Sequence, residues 1–178
     1  MSATLDISVP EPVVVHFEPS RLRMNDEEFF MFCQLNPELR IERTSEGDII
    51  VMAPTGGKTG RQNAKLIARV TNWSEQDATG QVFDSSTEFI LPNRAGRAPD
   101  VSWVRNERWQ ALTGKEQEQF PPLCPDFVVE LRSLIDPLER KVHIYRPGAD
   151  PEVRDDPETV SGEPPLTGFV LDVRVLWD

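Results

Sequence analysis

Two short apolar runs, each headed by Pro-Asp, constrain this chain more than any other feature: Pro99-Asp100 opens VSWV, and Pro125-Asp126 opens FVVEL. Runs of this length, rich in Val and bounded by proline, read as strands. The second is apolar for long enough to read as a central strand buried on both faces. Between them NERWQALTGKEQEQF reads as one surface helix capped by Asn106, its charges a solvated face.

Side chains alternate across a strand, so Glu130 and Arg132 are expected on one face and Val129 and Leu131 on the other. Two acids, Asp100 and Glu130, then come from neighbouring strands with a cation beside them. A magnesium-dependent phosphodiesterase needs that grouping, because magnesium takes hard oxygen ligands and keeps several of its waters.

The rest of the chain supplies elements to pack on these strands. Asn25 reads as the cap of a helix over 24–35, with Glu28 three residues on, Phe29, Phe32 and Cys33 on one face, and Asn36-Pro37 as its stop. LRIERTSEGDIIVMA (39–53) reads as a hairpin turning at 45–48, with Leu39, Ile41, Ile49 and Val51 inward and Glu42 on the wet pleat. PTGGKTG invites a phosphate-loop reading, but Met52 stands where that pattern needs its first Gly. The stretch reads instead as a turn capped by Thr59, opening a long amphipathic helix over 59–76 with Ala64, Ile67, Val70 and Trp73 as its apolar stripe. Residues 81–92 give strand, bend, strand. Residues 134–147 give a hairpin turning at 136–140, and FVLDVRVLWD gives a last strand with Phe169, Leu171, Val173 and Val175 on one side.

At 178 residues the chain has room for one ordinary core. Residues 1–20, rich in proline, read as an extended arm and 21–178 as a single domain. The net charge of −11 argues against a broad, sequence-independent grip on nucleic acid, which depends on Lys and Arg displacing counterions, although a local basic groove is compatible with it. Cys33 and Cys124 stand far apart with no neighbouring His, and read as small core hydrophobes rather than metal or redox pairs. His16 and His143 are lone histidines without a ligand role, Asp126 reads as a turn cap, and the four Trp read as packing. No secretory leader is visible and no apolar run approaches the ~20 residues of a membrane span, so a cytoplasmic location is expected.

Taken together, LRIERTSEGDIIVMAPTGGKTGRQN, FDSSTEFILPNRAGRAPDVSWV, Arg108-Trp109, FPPLCPDFVVELRS, LIDP, IYRPG and SGEPPLTGFVLDV resemble the Uma-type endonuclease family. That family belongs to the PD-(D/E)XK, restriction-endonuclease-like superfamily, and the resemblance spans about residues 20 to 176. It implies a mixed α/β fold with a central sheet flanked by helices. It also implies an endonuclease cutting phosphodiester bonds of DNA with Mg2+ or Mn2+, and it allows a homodimer. Residue by residue, Asp100 matches the Asp of the Pro-Asp motif and Glu130 the second acid, both as metal ligands. Glu42 matches the acid of the first hairpin, and Arg132 stands where the superfamily has Lys.

The chain departs from the resemblance after Ser133, where relatives insert a loop and a helix before the LIDP strand. Here Leu134 follows directly, so FVVEL and LID are expected to fuse into one strand, or LID to detach, leaving a sheet face uncovered. Two functions from different classes follow: a metal-dependent endonuclease using Asp100, Glu130, Arg132 and Glu42, or a non-catalytic, partly deleted relative acting as a binding or assembly module.

Overall fold

The computed structural model describes residues 12–15 and 24–177. Residues 1–11 and 16–23, with His16 and most of the expected arm, lie outside them. In chain order the elements are β1 (Val13–Val15), α1 (Asp26–Leu35), β2 (Arg40–Arg43), β3 (Ile49–Met52), α2 (Gly57–Asp77), β4 (Gly80–Asp84), β5 (Phe89–Ile90), β6 (Gly96–Arg97) and β7 (Val101–Arg105). Then follow α3 (Asn106–Gln110), α4 (Gly114–Glu118), β8 (Phe127–Val129), β9 (Ile135–Asp136), β10 (Lys141–Ile144), β11 (Glu152–Asp155), β12 (Thr159–Ser161) and β13 (Val170–Asp172), with a 3-10 turn at Arg174–Leu176.

Five strands make one sheet in the order β1-β3-β2-β6-β5, and three make a second, β4-β7-β8. A third runs β11-β10-β9, and β12 pairs with β13. The fold is therefore mixed α and β, with several antiparallel sheets and few helices. Helix α2 lies across β4 and β7, burying Leu66 and Val70 with Trp103, Val129, Phe169, Leu171, Val173 and Leu176 in the main core. The indole Nε1 of Trp103 donates to Ser74 Oγ (3.1 Å), tying β7 to the helix. Gly80 is required where β4 passes under that indole, since a Cβ there would collide with the ring. Phe29, Ile41, Ile49 and Ile90 form a separate cluster between α1 and the five-stranded sheet.

The Asn25 cap is present as a full capping box with Glu28, and Asn36 ends α1. The β2–β3 hairpin, the β9–β10 hairpin and the strand-bend-strand of 80–90 also match expectation. Other elements differ, each for a local reason. Helix α2 begins at Gly57 with Gly56 as its cap, and Thr59 lies inside it, nearly buried. Its buried stripe is Thr59, Gln62, Leu66, Val70 and Ser74, with Ala64 exposed, because the helix turns a polar end toward the tail, where Gln62 donates to the Leu176 carbonyl. The expected single helix after β7 is two short ones, broken at Thr113, which caps α4. Asn106 is not a cap; its amide donates to the Ala78 carbonyl. Leu39 and Cys124 are exposed rather than buried. The acid-rich tail carries two unexpected strands, β11 and β12. The last strand stops at Asp172, and the 3-10 turn after it rotates Leu176 into the core.

The largest correction concerns the segment after Pro125. β8 is short and forms the edge of its sheet, so it is not a central strand. Residues 130–134 neither extend it nor release LID. The Glu130 carbonyl accepts from both Leu134 N and Ile135 N (3.0 Å each), Arg132 N donates to the Ile135 carbonyl (2.6 Å), and Arg132 takes a left-handed φ of 74°. The chain turns back so tightly that Ile135 meets Leu131 in a single parallel bridge. No helix lies between β8 and β9, and an apolar groove of about 460 Å³ opens there, lined by Phe127, Val128, Ile144 and Leu171 among others. Among the described residues no helix is long and apolar enough to cross a membrane.

Candidate active site

The antiparallel register of β7 and β8 sets Val101 opposite Val129. Carried one residue further, that register places Asp100 across from Glu130 at the mouth of the strand pair. Asp100 is almost fully buried, at 6% exposure, and well held: Asn63 Nδ2 donates to its Oδ1 (2.8 Å) and the Leu131 backbone N–H to its Oδ2 (2.9 Å). The Arg40 guanidinium stands 4.0 Å from Oδ1. Glu130 is half-buried, and its carboxyl is pushed up to about 7 by burial first, then by the charges of Asp100 and Glu42, with Arg40 opposing. Asp100 and Glu130, set opposite by the register, form one acidic corner, and Glu42 adds a weaker charge effect from β2.

Glu42 reaches that corner from β2. Its carboxylate accepts from the Ala98 backbone N–H (3.2 Å) and lies 3.6 Å from Arg97, holding the segment that leads into Pro99-Asp100. With only 13% of its side chain exposed, it is not on a wet face as expected. Arg132 does not share a strand face with Glu130, because the left-handed turn breaks the alternation. Its guanidinium donates instead to Thr59 Oγ1 (3.2 Å), in the first turn of α2. Thr59 and Asn63 are four residues apart on one helix face, about 6 Å along the axis, so the residue that Arg132 bonds neighbours the one whose amide holds Asp100.

Arg40, Asn63 and Glu88 belong to this region and were not anticipated. Arg40 was legible from Glu42, since residues two apart on a strand share a face. Asn63 and Gln62 were legible only as polar residues at the end of an amphipathic stripe, a weak signal. Glu88, next to β5, is 4% exposed, and its carboxyl is pushed up to about 8 by burial first, then by Glu42, with Arg43 and Arg97 opposing.

Among the described residues no group of three or more His, Cys, Asp and Glu side chains is arranged to hold a metal ion. Asp126, outside this corner, pairs with Arg105 and Arg108. What the corner offers is two carboxylates and the Asn63 Oδ1, a buried oxygen with no hydrogen-bond partner. Magnesium asks for one or two carboxylates and keeps its waters, so this set of hard oxygens fits such an ion.

The family whose sequence model matches is Uma2, described as "Putative restriction endonuclease", over residues 26–133. The match ends at Ser133, inside the tight turn before β9. Among solved structures the chain is similar to "a putative nuclease belonging to DUF820" from Anabaena variabilis. The TM-score is 0.63 at 20% identity, covering 77% of this chain and 89% of that one. That likeness is one of fold. No curated protein matches the chain.

Proposed function

This chain belongs to the Uma2 family of restriction-endonuclease-like proteins, and from that membership we propose that the Asp100–Glu130 corner is the reacting centre of a divalent-cation-dependent endonuclease acting on DNA. The observation that carries the reading is the β7–β8 register, which brings two acids from separate strands to one buried corner. Asp100 and Glu130 would hold Mg2+ or Mn2+, with Asn63 Oδ1 beside them. Such an ion acidifies a water and neutralises charge developing on a phosphodiester.

The chain's own groups have separate tasks. Asn63 and the Leu131 N–H fix the Asp100 carboxylate so that it cannot rotate away. The Glu130 carboxyl is raised to about 7 by burial and by Asp100 and Glu42, and a cation shared with Asp100 would offset that repulsion and favour the ionised form as a ligand. Arg40 offsets the acid cluster from within. Arg132 steadies a backbone phosphate rather than moving a proton, since a guanidinium positions and neutralises but does not act as a base. Glu42 is a positioning residue, holding Ala98 and through it Asp100.

Supercoiled plasmid incubated with the full chain and Mg2+ or Mn2+ tests this. Asp100→Asn and Glu130→Gln are each expected to lower nicking by roughly 10²-fold or more, the scale of losing one group that stabilises charge at the reacting centre, with unchanged circular dichroism. Equal products from wild type and both variants would sink the reading.

A further inference from the structure

Helix α2 carries a line of positive charge beside the acidic corner. Residues 57–70 hold Lys58, Arg61, Lys65 and Arg69 and no Asp or Glu, in a chain of thirty acids against nineteen Lys and Arg. We propose that this line seats the phosphate backbone of a DNA duplex and leads it to the reacting centre; the inference rests on the endonuclease reading.

Spacings of three, four and four residues set the four cations on one face of the helix. From Lys58 to Arg69 the line runs roughly 16 Å, at ~1.5 Å per residue. A duplex carries one negative charge per ~1.7 Å of its axis, so that length holds about five phosphates on each strand, enough for one per cation. Lys58 and Arg61 are exposed, and Lys65 and Arg69 half-buried. Lys65 Nζ donates to the Val175 carbonyl (2.7 Å) and Arg69 Nη1 to the Lys65 carbonyl (3.2 Å), which fixes both stems without cancelling their charge. An ammonium has three donors and a guanidinium five, so each keeps donors for a phosphate. Asp172, the acid within range of Arg69, is held by two donors of Arg174 (3.0 and 2.9 Å). Glu75 and Asp77 follow only past the line, at the other end of the helix.

The line is joined to the site along the same helix. Thr59, next to Lys58, takes the Arg132 bond, and Asn63, between Arg61 and Lys65, holds Asp100. A helix with its side chains is ~10–12 Å across, so a strand on the line passes within about that distance of the corner. Among the described residues nothing crowds this end of α2, where a Cβ at Gly56, Gly57 or Gly60 would meet no atom within 4 Å. The remaining surface is more acidic than the net charge of −11, so a duplex is repelled elsewhere and steered here.

Binding of a labelled DNA duplex to the full chain, in metal-free buffer with chelator and followed by fluorescence anisotropy, tests this across ~50–200 mM salt. The slope of log K against log salt counts the phosphates neutralised, at about 0.9 per contact. Wild type is expected to give a slope of about −4. Lys58→Gln is expected to lower its magnitude by about 0.9, and Lys58→Gln combined with Lys65→Gln and Arg69→Gln by about 2.7. Should the triple variant lose its tail contacts and melt early, Lys58→Gln with Arg61→Gln, both at exposed positions, is expected to lower it by about 1.8. Lys115→Gln, on α4, is the control and is expected to leave the slope unchanged. Line variants that keep the wild-type slope would overturn the assignment, and so would an RNA duplex of the same sequence bound more tightly than DNA. Plasmid nicking by wild type alongside unchanged slopes would mean that only this surface fails. If no duplex is bound and no plasmid is nicked, the endonuclease reading falls with it.

Discussion

Glu88 is an acid whose neighbours make its ionisation unfavourable, and stability should report this directly. Its carboxyl lies near 4.5 in an unfolded chain and is pushed up to about 8 in the fold, by burial first. Between those values the folded state holds a proton that the unfolded state has lost. Stability from this group is therefore complete below about pH 4.5 and is lost progressively as pH rises to about 8. Glu88→Gln has no such proton to lose. Its stability relative to wild type should rise by up to about 1.4 kcal/mol per pH unit across that window and level off above it. Urea unfolding at pH 5 and pH 8 measures the difference. Parallel curves for the two proteins would mean that Glu88 is paired in solution.

Among the elements, α1 and α2 are held by different means. Helix α1 has a reciprocal cap, with Glu28 N donating to Asn25 Oδ1 (2.9 Å) and Asn25 N to Glu28 Oε2 (2.8 Å). Replacing Asn25 by Ala should cost about 1 kcal/mol, read as a shift in the denaturation midpoint with no change in slope. Helix α2 has no side-chain cap, and its first two turns instead face the site through Thr59 and Asn63. It is held by burial further along, so Leu66→Ala, at a fully buried position, should cost 2–5 kcal/mol.

For the molecule as a whole, that loss is a large share of the ~5–15 kcal/mol that a domain of this kind has in total. The groove beside β8 compounds this. The short turn at 130–134 leaves Phe127 and Val128 half-exposed where a covering element would have buried them, at roughly 25 cal/mol per Å² of apolar surface. Leu66→Ala is accordingly expected to lower the melting temperature by roughly 4–20 °C, since 1 kcal/mol is worth about 2–4 °C at this size. The buried Trp103 and the far-UV signal should report the same midpoint, because α2 and β7 share one core. Two separate midpoints would show instead that the sheets unfold independently.

Local chemistry was readable from the residues wherever it acts over a few positions. Asn25 and Glu28 announced a cap, the alternation in 39–53 announced a hairpin, and Pro99-Asp100 with Glu130 announced the pair of acids that the strand register brings together. What could not be read depended on contacts distant in sequence or on backbone signs that side chains do not advertise. The left-handed φ of Arg132 turned its guanidinium from Glu130 toward Thr59, and Asn63 reached Asp100 only because α2 packs across β7. Glu88 is one acid among thirty Asp and Glu in the sequence, and only burial distinguishes it. Residue type and spacing act through short-range sterics and hydrogen bonds, whereas burial and long-range partners exist only once the chain has closed on itself.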